Sequence, residues 1–473
     1  SLNDGVVTTT AGFKEAFAQF AEGGWQGLQH PVDFGGQGLP KTIGAACLEM
    51  LNSANLSFAL CPLLTDGAIE ALLMAGSDEL KAVYLEKLIS GQWTGTMNLT
   101  EPQAGSDLSL VRTKAEPLPD GSYKIFGTKI FITYGEHDMA ENIVHLVLAR
   151  VAGAPEGVKG ISLFVVPKFL VNSDGSLGAR NDAHCVSIEH KMGIKASPTA
   201  VLQFGDHGGA IGYLVGEENR GLEYMFIMMN AARYGVGVQG IAVAERAYQR
   251  AVQYARDRVQ SRPVDGSVPG AASIIHHPDV RRMLMTMRAF TEGCRAMATT
   301  AAAAYDAAHH HPDAAVRQAN ATFYEFMVPL VKGFSTEMSL EVTSLGVQVH
   351  GGAIAEQIAK TEADLHASGT AAALSMARHL QTAREAFLQT VDFVAGKAKA
   401  SPNAVYAGSV PYLMLTGNLV AGWQMGRALL VAQDKLAAGE EAAFMQAKII
   451  TAQFYAEHIL TRVPGLAHTV CTG

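Results

Sequence analysis

Hydrophobic and polar positions along the chain fall into three textures. From about residue 11 to 92, apolar side chains recur at three- and four-residue steps in FKEAFAQFAEGGW and KTIGAACLEMLNSANLSFALCPLLTDGAIEALLMAG, which predicts helices broken by the Gly and Pro of residues 35–40. From Trp93 to about Arg220 the runs shorten, become β-branched and are separated by Gly, Asp, Asn and Pro, as in SYKIFGTKIFIT, NIVHLVLARV, GISLFVVPK and TAVLQFGD. That spacing predicts a small antiparallel barrel or sandwich, and without a helical period between the runs a βαβ sheet is not expected. Helical periodicity returns at Gly221, where Ala244, Ala247, Tyr248, Ala251, Val252, Ala255 and Val259 form one apolar stripe. Residues from about 401 onward add two or three Ala-rich helices. The chain therefore reads as α+β: a helical domain over 1–92, a β domain over 93–220, a helical bundle over 221–395 and an additional helical module over 396–473.

Composition narrows the partners. A chain of 473 residues, 48% hydrophobic and 17% charged, has room for two or three domains that each bury a core. Its net charge of −8 gives no electrostatic reason to expect nucleic acid or an anionic membrane as the main partner. The five cysteines are scattered, with no CxxC pair, as suits a reducing compartment. No apolar run of about 18 residues is free of charged or polar breaks, and no signal-peptide pattern opens the chain, so no integral membrane segment and a cytoplasmic location are expected.

Three kinds of short motif have plain structural readings. The loop GGQGLP lacks both a preceding strand and a following Lys-Ser/Thr, and reads as a plain loop. Gly235, Gly237 and Gly240 match GxGxxG, but the preceding LEYMFIMMNAARY has helix length, so close helix–helix packing is expected rather than a dinucleotide turn. Adjacent histidines at His276–His277 and His309–His311 lack convergent acid or thiol partners, and no metal site is expected from them.

The stretch from Trp93 to Gly135 carries the strongest chemical signal. WTGTMNLTEPQAGSD is a β-prone run that breaks at Pro102 into a turn of Ala104, Gly105, Ser106 and Asp107, where glycine lets a ligand approach closely. In GTKIFITYG, strand alternation is expected to put Lys129, Phe131 and Thr133 on one face and Ile130 and Ile132 on the other. A phenyl face beside a hydroxyl suits a planar heteroaromatic cofactor.

These two blocks resemble the flavin-binding middle domain of the acyl-CoA dehydrogenases. The first is similar to that family's TEPxAGSD motif, and the second to its WIT segment, with Phe131 where most members carry Trp. The likeness extends over nearly the whole chain. It is most marked toward the larger bacterial subfamily that includes 3-methylmercaptopropionyl-CoA dehydrogenase, in GWQGLQHPVDFGGQGLP, FITYGEHDMAENIVHLVLAR and SPNAVYAGSVPYLMLTGNLVAGWQMGRALL. Members of the family usually have further residues ahead of the point where this chain begins.

The resemblance implies a middle β-barrel between helical domains, FAD as cofactor, an acyl-CoA substrate and an electron-transfer flavoprotein as acceptor. It also implies a homodimer or homotetramer in a bacterial cytoplasm. Met97, Leu99, Thr100, Gly105 and Ser106 would lie along the flavin, Phe131 would cover one ring face, Thr133 would sit near N5, and Ser106 would also touch CoA. Asn230 and Arg233, three residues apart on one helix face, take the place of a D/N-x-x-R pair that contacts CoA. Arg258 falls where the family's Arg reaches the flavin of a neighbouring subunit. Gln348, Gly351 and Gly352 match QxxGG, where glycine backbone approaches the flavin pyrophosphate. Read without the family, Phe131 is ordinary core, Thr133 a strand residue, Asn230 and Arg233 a surface pair and Arg258 part of a basic turn.

The α-proton base is the gap in this picture. The family's YEGTxxIQ segment, whose Glu is the base, does not occur, and the minority location just before the Arg is Ala232. Glu245 and Glu356 are nearby acids that nothing marks as a base. Gly352 is followed at once by AIAEQIAKTEADLHASG, and this change of register motivates the expectation that a segment is absent between Gly352 and Ala353. The expected reaction is dehydrogenation of a medium- to long-chain fatty acyl-CoA to the trans-2-enoyl-CoA in β-oxidation. 3-Methylmercaptopropionyl-CoA is the second substrate, and an acyl-CoA oxidase or a non-catalytic flavoprotein scaffold are the alternatives.

Overall fold

A computed structural model describes residues 1–263, 266–397 and 408–472. Internal contacts divide the chain into two compact units, Ser1–Gly346 and Val347–Gly473.

The first unit opens with a short hairpin, β1 (Leu2–Asn3) and β2 (Val6–Val7), followed by helices α1 (Phe13–Glu22), α2 (Lys41–Ala54), α3 (Leu56–Ala75) and α4 (Asp78–Ile89). The last two are capped by side chains that satisfy an orphan backbone donor: Asn55 accepts from Phe58 N and Ser77 from Leu80 N. Helix α3 is long and apolar enough to cross a membrane by composition, yet 67% of its apolar window is buried inside the unit. Its two acids are partnered, Asp66 with His30 and Gln29 at 2.6 Å each and Glu70 with the Tyr305 hydroxyl at 3.4 Å. It is a core helix.

Ten strands follow: β3 (Trp93–Asn98), β4 (Lys114–Pro117), β5 (Tyr123–Thr133), β6 (Asn142–Val151), β7 (Ser162–Pro167), β8 (Phe169–Val171), β9 (Leu177–Arg180), β10 (Ala183–Ile188), β11 (Thr199–Phe204) and β12 (Ala210–Val215). Strands β5, β12, β7, β6 and β4 pair in a closed ring, so the expected barrel is present. Strand β3 is added to β6, and β11 then β10 are added to β5. Pairing is antiparallel except where β3 and β4 each run parallel to β6.

Simple alternation along β5 is overturned. Between the pairs Ala200↔Ile132 and Leu202↔Lys129, two residues of β5 face one of β11, which is a bulge. Phe131 takes φ +60° there. The extra residue shifts the parity, so Lys129 and Ile132 are both buried while Phe131 is 58% exposed. Lys129, Phe131 and Thr133 do not share a face.

Three long helices complete this unit: α5 (Gly221–Asp257), α6 (Pro278–His310) and α7 (Ala314–Val349), whose last residues pass into the second unit. The expected helix–helix role of the glycine triplet holds. A Cβ on Gly237 would lie 2.7 Å from Val331 O, and one on Gly240 2.7 Å from Ser335 O, so only glycine allows α5 this close to α7.

The second unit contains α8 (Gly351–Ser368), α9 (Ala371–Lys397), α10 (Ser409–Ala437), α11 (Ala442–His458) and α12 (Val463–Thr472). Met376, Leu380, Ala383 and Phe387 of α9 share one core with Leu415, Leu419 and Leu429 of α10. The apolar stripe of α9 is buried by the C-terminal helices, so by packing α9 belongs with them and the compact units divide at Gly346.

Candidate active site

Strand β3 ends at Asn98, and the chain then turns tightly at Glu101, whose N–H and carbonyl both bond Ala104 (2.9 and 3.0 Å). The Glu101 side chain is buried and accepts five hydrogen bonds: Lys129 Nζ at 2.8 Å, Thr113 Oγ1 at 2.6 Å, Thr113 N at 3.1 Å, Arg112 N at 2.7 Å and Gln103 Nε2 at 2.6 Å. Burial pushes this carboxyl up, but the Lys129 charge and the hydrogen bonds outweigh it and hold it below the usual carboxylate range. Burial pulls the Lys129 ammonium down to about 8, against the attraction of Glu101.

This pair stitches the two sequence blocks together. Lys129 Nζ also donates to Leu99 O at 2.9 Å, and Ile130 N donates to Thr100 O at 2.9 Å. The structure therefore brings Leu99 and Thr100 beside Phe131. Met97, Leu99, Thr100 and Thr133 are half-buried, while Gly105 and Ser106 are exposed in the turn. Phe131 is neither core nor relaxed, since a bulky residue at positive φ costs on the order of 1 kcal/mol or more, and such strain gathers at functional positions. A Cβ built on Gly105 would meet nothing within 4 Å, leaving open space beside the turn. An exposed aromatic, two partly open threonines and an unobstructed glycine turn fit a planar ring system with a polar edge.

Behind β3 lies a dry polar layer. Thr94 pairs with His137 at 2.9 Å, Thr96 with His145 at 2.7 Å, and Asn98 donates to Thr96 at 2.9 Å. Burial, then nearby cations, pull both imidazoles down to about 3, so they are neutral. Sequence reasoning missed this layer and the Glu101–Lys129 pair. The signal available was a polar side chain at every second position of an otherwise apolar strand.

On α5, Asn230 and Arg233 share a face as expected, with Arg233 donating to Asn230 Oδ1 at 2.8 Å and lying 5.5 Å from the Phe226 ring centre. Met225 and Met228, just before them, are buried in the same core that packs Met97 and Leu99, which ties this turn of α5 to the end of β3. Ala232 is half-buried between the two. Glu245 is engaged elsewhere, bonded to Arg295 at 2.6 Å and Gln249 at 2.8 Å. Arg258 caps the far end of α5, roughly 38 Å along the helix from Arg233 at 1.5 Å per residue, so one site cannot use both from one chain. Gln348, Gly351 and Gly352 belong to the second unit. The last two open α8, where the chain is already helical rather than forming a Gly-Phe turn; the Glu356 side chain lies outside the described residues.

Four family models match in order: acyl-CoA dehydrogenase N-terminal domain over 7–92, middle domain over 96–207, C-terminal domain over 219–384, and an acetyl-CoA dehydrogenase C-terminal-like module over 354–473. The 3-methylmercaptopropionyl-CoA dehydrogenase of Ruegeria pomeroyi is 54% identical, covering 97% of this chain and 85% of its own length. The chain belongs to the acyl-CoA dehydrogenase family. The broad-specificity linear acyl-CoA dehydrogenase FadE5 of Mycobacterium tuberculosis is 35% identical, over 95% of this chain and 83% of its own. A solved acyl-CoA dehydrogenase of Bacillus anthracis, complexed with FAD, shares the fold at TM-score 0.61 and 22% identity, over 97% of this chain and 82% of that one. The family makes this protein an FAD-dependent oxidoreductase. The Ruegeria alignment spans 506 positions, whereas 97% of this chain is about 459 residues, so the relative carries roughly 47 positions without a counterpart here.

Proposed function

We propose that this protein removes hydrogen from the α and β carbons of an acyl-CoA thioester, with an electron-transfer flavoprotein as the final acceptor. The observation that carries the proposal is the Glu101–Lys129 stitch, which holds Leu99 and Thr100 beside the strained, exposed Phe131. Bound FAD supplies the hydride acceptor. Met97, Leu99, Thr100, Phe131 and Thr133 present the surface for its ring, with Gly105 and Ser106 at the turn beside it. Asn230 and Arg233 offer an amide and a guanidinium for the amides and phosphates of CoA. Arg258, at the remote end of α5, serves the flavin of a second copy, and Gln348, Gly351 and Gly352 serve its pyrophosphate.

A thioester α-proton is weakly acidic, so a carboxylate must stand at the α carbon in a dry site. We place that carboxylate in a segment of the natural polypeptide between Gly352 and Ala353. The roughly 47 extra positions of the Ruegeria relative support this. The tryptic peptide Gly333–Lys360 spans the junction. Recovering it from protein digested from its native source refutes the inserted segment.

3-Methylmercaptopropionyl-CoA is the first substrate to test, supported by the 54% identity across nearly the whole chain, ahead of medium- and long-chain fatty acyl-CoA. The purified protein is expected to be yellow and to bleach anaerobically with the preferred thioester. Inability to take up FAD defeats the proposal. A yellow protein that no acyl-CoA bleaches supports the second reading, a flavoprotein without turnover, which Ala232 and the missing YEGT segment favour.

A further inference from the structure

At the rim of the β domain, away from the two flavin blocks in sequence, Asp182, His184 and His207 converge. Their candidate ligand atoms all lie within 4.8 Å of one another. Asp182 immediately precedes β10 and His184 is its second residue, with Asp182 Oδ1 3.3 Å from His184 Nε2. His207 arrives from the turn that joins β11 to β12.

The acid is already oriented for a further partner. Its Oδ2 accepts His207 N at 2.7 Å and Gly209 N at 3.1 Å. Its Oδ1 is buried and receives no hydrogen bond, with His184 Nε2 at 3.3 Å but not aligned to donate. The backbone beneath is fixed by Asn181, whose amide takes Ile211 N and Asp182 N and donates to Pro167 O and Ile211 O. Backbone donors on one carboxylate oxygen and a free second oxygen are the outer-shell arrangement that orients a metal ligand. The 3.3 Å between Asp182 Oδ1 and His184 Nε2 also equals the edge of a tetrahedron with metal–ligand bonds of about 2.0–2.1 Å.

We propose that Asp182, His184 and His207 form a site for one divalent ion of the zinc class, with the exposed side of His207 leaving a position for water. Two imidazoles, which are borderline nitrogen ligands, beside one hard carboxylate favour zinc over calcium or magnesium, which take oxygen ligands. The ion ties the edge strand β10 to the β11–β12 turn. The sequence signal is weak: an Asp-x-His pair at the entry to a strand, and a His 23 positions after His184.

The test uses the full-length, FAD-loaded, tag-free protein, stripped with a chelator and titrated with zinc alone in competition with a chromophoric chelator. Expected is one strongly held zinc per chain, weakened at least tenfold in H184A, in H207A and in D182N. A variant with His276, His277, His309, His310 and His311 all changed to Ala should keep the site, which separates it from the histidine runs. Cobalt in place of zinc should give the visible absorption of a four-coordinate site in the wild type and in that five-histidine variant, but not in H184A, H207A or D182N. Wild-type uptake no tighter than that of the H184A/H207A double variant, or uptake lost with the histidine runs instead, overturns the proposal and leaves the cluster as an Asp–His pair.

Discussion

Lys129 Nζ lies 2.8 Å from Glu101 Oε1, and both side chains are shut off from solvent. The pair joins two segments 28 residues apart and sets the backbone of Leu99 and Thr100 against β5. Removing one member leaves a buried charge without its partner, which costs about 3–5 kcal/mol. E101Q and K129M should each lower stability by that order in urea denaturation and weaken FAD binding. The double variant E101L/K129M should recover much of the stability. Recovery of stability without FAD affinity would show that the pair acts by placing Leu99 and Thr100.

His137 and His145 predict the acid limit of the β domain. Their native pKa values of about 3 lie below the unfolded value of about 6.5, so the unfolded chain binds the extra protons. Their contribution to stability is complete above pH ~6.5 and falls by about 1.4 kcal/mol per pH unit for each group until pH ~3. Urea midpoints measured from pH 8 to 4 should drop below 6.5, and H145N should flatten the slope by about one proton. An unchanged slope in H145N would falsify the neutral-imidazole assignment.

Gly240 tests the reading of the glycine triplet. Alanine at a helical position gains up to about 1 kcal/mol in propensity, but the added Cβ would meet Ser335 O at 2.7 Å, and backbone yields little. G240A should be destabilised by a net of about 1–2 kcal/mol, with FAD affinity of the folded fraction unchanged. Loss of FAD binding without loss of stability would instead favour a dinucleotide-binding turn.

Ala232 precedes Arg233 on the helix that carries the proposed CoA-binding pair, Asn230 and Arg233, and it has no group that accepts a proton. A carboxylate placed there should act as general base. A232E in the 473-residue chain is expected to raise anaerobic flavin reduction by acyl-CoA by about 10²–10⁴-fold. No gain despite retained FAD and thioester binding would count against this helix face as the reacting side.

The sequence by itself determined the order of helical and β segments, because periods of 3.6 and 2 report local burial directly. It also determined the role of Gly237 and Gly240, since a glycine triplet inside a helical pattern has few uses beyond close packing, and it marked the two blocks proposed to hold the flavin. Tertiary structure decided what depends on distant partners. The bulge opposite Val201 inverts the parity of β5, so Lys129 turns inward to Glu101 and Phe131 outward at positive φ. The core shared by α9 and α10 puts the division between the compact units at Gly346. The convergence of Asp182 and His184 with His207 arises only when the β11–β12 turn folds back over β10. Spacing along a chain carries local geometry; which side chain meets which across a barrel depends on register, and one extra residue in one strand resets it.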